Sequence, residues 1–138
     1  MTTTPWSFSE AREACRRSSL AQKAAEDAMR NASRDAALAE ERYRVELAKA
    51  IVEAHDSGVA WSVAADVARG AEDVASLRRD RDIAEGVRDA LVQAAWRAAA
   101  DRRDTSRFAQ WGMSVALRDG SIGPDEPRLV WSGQAGAA

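Results

Sequence analysis

Between Ser9 and Ala54 the chain has neither proline nor glycine, and between Glu72 and Arg118 it has only Gly86 and Gly112 as breakers. Proline is the residue a helix interior tolerates least, and glycine costs about 1 kcal/mol there. Two such long runs without effective breakers restrict the chain to two long helices. The turn chemistry is concentrated between them, in Ala54 to Gly70, AHDSGVAWSVAADVARG. A reversal there lays the two runs side by side as a long antiparallel helical hairpin of roughly 70 Å at 1.5 Å per residue. The expected fold class is all-α, with coiled-coil-like packing and a short corner helix. Helices are expected at about 9–55, 60–69 and 72–118, after a flexible lead (1–8) and before a disordered tail (119–138).

Composition indicates how such helices pack. Alanine fills about a fifth of the chain and aromatic content is 6%, which suits long helices meeting through thin seams. On the first helix, small or apolar residues recur at Ala25, Ala28, Ala32, Ala36, Ala39, Tyr43, Leu47, Ala50 and Ala54. Their three-four-four spacing is an eleven-residue repeat, which tracks a nearly straight helix. The second helix reads closer to a heptad, through Val74, Leu77, Ala84, Val87, Leu91, Ala94, Ala98, Thr105, Phe108, Gly112 and Val115. Arg81 and Asp101 fall on that seam and must pair or snorkel, because an unpartnered buried charge is costly. Two helices bury one stripe each, so a further part of the core is expected from another chain, in a homo-oligomer.

Local signals set the helix limits. Ser7 and Glu10 have the spacing of a capping box, and Trp6 ahead of them either staples onto Ala11 or anchors a partner. His55-Asp56-Ser57-Gly58 reads as a helix stop, with Gly58 in the left-handed cap conformation. Trp61, Ala64, Val67 and Ala68 share one side of the corner helix, which Gly70 closes. Gly58, Trp61 and Gly70 are therefore the expected hinge, with Trp61 covering the end of the hairpin. A helix-turn-helix fits this stretch only in part: Ala54 and Gly58 match, whereas Glu53 occupies an expected apolar position. Asp119 to Pro124 ends the last helix, and Leu129-Val130-Trp131 is the one apolar island beyond it.

Several chemistries lack their residues. The formal charge is −2, from 20 basic and 22 acidic residues, so no overall field draws the chain to nucleic acid or to an anionic membrane. No apolar run approaches the roughly 20 residues that span a bilayer, and no signal-peptide layout is present, so no membrane association and a cytoplasmic location are expected. Cys15 excludes an internal disulfide. Arg16 and Arg17 beside it would favour a thiolate, but no base accompanies them. His55 is the lone histidine, and Glu53, Asp56 and Asp66 form no recognised ligand spacing with it. No catalytic triad or phosphate loop is present. Neither metal, cofactor nor enzymatic activity is expected.

One constellation remains. Trp96, Arg103, Arg107 and Trp111 are spaced seven, four and four, which puts them on one helix face, with Arg97 and Arg102 on its flank. Aromatics among guanidinium groups serve single-strand binding, by base stacking and phosphate neutralisation. They equally serve a protein interface with Trp at its centre and Arg at its rim. Arg79-Asp80-Arg81-Asp82 reads as a salt-bridge rung between the arms or between chains.

Tyr43 to Trp96, with an Ala-rich helix, a Gly-containing corner and an Arg/Asp-rich start to the next helix, resembles small all-helical proteins of tailed phages of actinobacteria and other Gram-positive hosts. The resemblance covers about half the chain and includes no catalytic motif. It implies a phage origin and a host-cytoplasmic setting. The expected function is a non-enzymatic oligomer that binds another phage or host protein, as an accessory or host-interference factor. Alternatives are a single-stranded nucleic-acid accessory of recombination or replication, and a virion assembly or scaffold component.

Overall fold

The computed structural model describes residues 7–118 and Gly120. The lead before Ser7, with Trp6, and the expected tail, with Leu129 to Trp131, lie outside the described residues apart from Gly120. Among the described residues the fold is all-helical: α1 (Phe8–Asp56), α2 (Trp61–Gly70) and α3 (Glu72–Arg118). At 49 and 47 residues, α1 and α3 are each about 70 Å long.

The ends of α1 follow from local chemistry. Ser7 Oγ accepts from the Glu10 N–H at 3.3 Å while the Ser7 N–H donates to the Glu10 carboxylate at 2.7 Å, so the capping box closes in both directions. At the other end Gly58 has φ +96°. Its N–H donates to the His55 carbonyl, and the Val59 N–H donates to that of Ala54. This pair of bonds is a Schellman stop, which satisfies two carbonyls that the helix leaves unpaired. Gly70 behaves differently from the sequence expectation. It is the last residue of α2 and lacks a positive φ, and the turn into α3 is made by Ala71 in extended conformation (φ −63°, ψ 136°).

The main packing is between α1 and α3, with α2 resting chiefly on α1. Moving along α3 from Arg81 to Ala99, the neighbours on α1 shift from Glu40 and Tyr43 to Glu26, Met29 and Arg30. The core is thin. Its members are Tyr43, Val74 and eight alanines, and no large side chain is fully buried. Alanine contributes little area at about 25 cal/mol per Å², so cohesion must build up along the whole length of the helices.

The contact track of α3 alternates steps of three and four, from Val74 through Leu77, Arg81, Ala84, Arg88 and Leu91 to Ala95 and Ala98, and again from Thr105 to Ala116. Val87 and Phe108, expected on this seam, are exposed (49% and 47%), and Asp101 is exposed as well. Each of the two apolar residues stands one position before the true contact, Arg88 and Ala109. One residue turns a helix by about 100°, and the larger side chain attracts a sequence reading where the backbone geometry selects its neighbour. On α1 the nine positions of the expected track, from Ala25 through Ala28, Ala32, Ala36, Ala39, Tyr43, Leu47 and Ala50 to Ala54, are all buried or half-buried, and Ala11, Cys15, Ser18 and Gln22 extend it toward the N-terminus in steps of four and three. In α2, Ala64 and Ala68 are buried, but Val67 (52%) and Trp61 (60%) are exposed. Trp61 therefore lies on the corner's surface, its ring stacked on His55 at 3.8 Å between centroids and 18° between planes.

Candidate functional site: an exposed Trp/Arg face on α3

Between the two long helices, the Arg79–Asp82 run acts as a rung at Arg81. Its guanidinium lies 3.6 Å from Glu40 on α1 and 2.6 Å from Asp82 on its own helix, and stands 4.6 Å over the Tyr43 ring. The Asp82 hydrogen bond, reinforced by the charges of Asp82, Glu40 and Glu85, raises the Arg81 pKa above its usual value. The guanidinium is thus fixed as a cation in the seam, neutralised by carboxylates and resting on an aromatic face. The pairing ties α3 to α1 at this level.

The outer face of α3 differs. Trp96 (68%) and Trp111 (58%) are exposed, as are Arg97, Arg102, Arg103 and Arg107, and Trp96 borders Glu26, Met29 and Arg30 of α1. An uninterrupted helix sets Trp96, Arg103, Arg107 and Trp111 on one face over about 22 Å of its length, with Arg97 and Arg102 on its flanks. Arg102, Arg103 and Arg107 line an open depression of about 230 Å³ together with Ser106 and Gln110. The sequence reading passed over Ser106 and Gln110, which carry no signal of their own and matter only through their position one turn from the arginines. Phe108 tilts against Trp111 at 5.8 Å between ring centroids.

Ion pairing is uneven along the chain, and Arg12, Lys23, Arg34, Arg42, Arg78 and Arg118 hold no carboxylate among the described residues. Arg16, Arg30, Arg44, Lys49, Arg69, Arg81 and Arg88 each hold a carboxylate. Arg97, Arg102, Arg103 and Arg107 hold none among the described residues, despite Asp101 and Asp104 in the same run. Charge is also unevenly spread. Residues 7–23 and 96–118 carry nine Lys/Arg against four Asp/Glu, whereas residues 24–95 carry ten against fifteen. The formal charge of −2 conceals a basic portion of net +5 and an acidic portion of net −5.

A second exposed surface lies on α1. Leu38, Val45 and Val52, seven residues apart and 43–52% exposed, form a stripe on the side away from Ala36 and Tyr43. Shallow depressions of about 460 and 640 Å³ run beside it, the first lined in part by Leu77 of α3. At the hinge, Gly58 and Gly70 are exposed, and the His55 ring stacks on Trp61 and lies 3.6 Å from the Asp56 carboxylate. Cys15 is half-buried and unpaired by sulfur. Among the described residues no group of three or more His, Cys, Asp or Glu side chains is arranged to hold a metal ion, and no helix is long and apolar enough to cross a membrane. Comparison with protein families, with curated proteins and with solved structures found no match for this chain.

Proposed function

We infer that the chain is an antiparallel helical hairpin that works without catalysis, as a homo-oligomer that binds another protein. One observation carries this reading. The core consists almost wholly of alanine, while thirteen large apolar side chains among the described residues stay exposed. Single exposed apolar residues need no explanation, but a stripe such as Leu38, Val45 and Val52 marks an interaction surface. The opposite shifts of neighbouring residues along α1 and α3 support the antiparallel arrangement, and the alternating three and four steps of the contact track support coiled-coil-like packing. The resemblance to small helical phage proteins supports a role as an accessory or host-interference factor in the bacterial cytoplasm.

The test is size-exclusion chromatography with light scattering across micromolar concentrations. A mass that is a multiple of 14.9 kDa is expected, falling toward one chain when Val45→Lys places a charge in the stripe. A strict monomer at every concentration would refute self-association.

A further inference from the structure

We propose that the Trp96–Trp111 face of α3 binds single-stranded nucleic acid, with Arg102, Arg103 and Arg107 on the phosphates and the two tryptophans on the bases. The observations behind this are independent of the α1 stripe and go beyond protein binding. The three arginines line one open depression with Ser106 and Gln110, and none of the three holds a carboxylate. A phosphodiester supplies the acceptor oxygens that this donor set lacks. Trp111 follows Gln110 directly, Trp96 lies about 9 Å before Arg102 along the helix axis, and the two are the most exposed aromatics of α3. Exposed indole faces beside guanidinium groups stack unpaired bases and tolerate any sequence, and base faces of this kind are closed off inside a duplex.

The acidic total does not oppose this. Screening limits the reach of exposed charges to about 8–10 Å at ordinary ionic strength. Arg107 lies 26 positions beyond Arg81 on one continuous helix, about 39 Å along the axis, so a strand at Arg107 does not sense the acidic corner region. Neighbours on α1 already fall to Glu26 where α3 reaches Ala99. Continued along straight helices, this order sets residues 7–23, with Arg12, Arg16, Arg17 and Lys23, beside residues 100–118. The locally relevant charge is the +5 of the two segments together. An acidic peptide would also be drawn to that charge, but would leave the two exposed indole faces without a ligand.

Fluorescence anisotropy of a labelled oligothymidylate of about 12 nucleotides, within the site sizes of about 4–16 known for such surfaces, tests the proposal on the full chain. Binding should weaken with salt at a log–log slope of about −2 to −3, as expected for three or four neutralised phosphates at about 0.7 each. Arg103→Ala with Arg107→Ala should flatten the slope by about 1.4. Trp96→Ala with Trp111→Ala should weaken binding at least tenfold and leave the slope unchanged. Arg78→Ala with Arg79→Ala, at the acidic end, should change neither. All these side chains are exposed, and circular dichroism checks that each variant keeps its helix content. The proposal is overturned if no binding appears at 50 mM salt. It is equally overturned if poly-glutamate competes as well as the oligonucleotide and the Trp variants bind normally, which would make the face a docking site for acidic protein. Self-association through Val45, read by light scattering, can hold or fail independently of either result.

Discussion

Tyr43 is the one large side chain in a core otherwise made of alanine and a single valine, and its removal should cost far more than any other truncation on α1. The ring is 8% exposed. An aromatic of this size buries on the order of 150–200 Å². Setting aside the hydroxyl and the Cβ that alanine retains leaves about 120 Å² of apolar area, or about 3 kcal/mol at 25 cal/mol per Å². Loss of the Arg81 stack, at about 0.5–1 kcal/mol, brings Tyr43→Ala to about 3–4 kcal/mol, in the range for aromatic-to-alanine changes in cores. Urea denaturation followed at 222 nm, at one fixed protein concentration because self-association feeds into stability, measures this directly. Arg81→Ala and the double variant should reveal a coupling of about 0.5–1 kcal/mol between the two positions. By contrast, Val52→Ala should change the monomer's stability by no more than about 0.5 kcal/mol. A Tyr43→Ala loss below about 1 kcal/mol would refute the reasoning, because cohesion would then reside outside the α1–α3 seam.

Two glycines should respond with opposite signs in the same assay. Gly58→Ala should destabilise by about 1 kcal/mol, since φ +96° is strained for any residue with a Cβ. Gly86→Ala should stabilise by about 0.5–1 kcal/mol, because it lies mid-helix and its added Cβ meets nothing within 4 Å. The capping box predicts a pH dependence. Bonds from the Ser7 backbone N–H and then its hydroxyl hold the Glu10 carboxyl below its ordinary value. A depressed folded pKa gives stability that is complete above the unfolded value of about 4.3 and is lost as pH falls through the folded one. Fraying of the first turn of α1, read by amide exchange at Ser9 to Arg12, should therefore begin in acid, and Ser7→Ala should bring it on at neutral pH.

The all-helical class, the two long helices and the stop at Gly58 were legible in the sequence because each depends on local chemistry. Proline and glycine act on their own backbone, a capping box closes over four residues, and a Schellman turn needs only the last turn of helix and one residue in the left-handed region. The face shared by Trp96, Arg103, Arg107 and Trp111 was legible for the same reason, since residues on one continuous helix are related by its period alone. The seam was legible at most of its positions and misread at two on α3. Val87 and Phe108 attract a reading based on hydrophobicity, but the closeness of two helix axes is a property of the pair, and it selects Arg88 and Ala109 as the positions that face α1. Tertiary structure alone set Arg81 between Glu40 and Tyr43, whereas Ser106 and Gln110 join the arginines through the period of α3 itself. Tertiary structure also gave the charge its spatial meaning. A sum over the sequence yields −2, whereas screening over about 10 Å within a molecule some 70 Å long makes each end respond only to the residues that packing has gathered there.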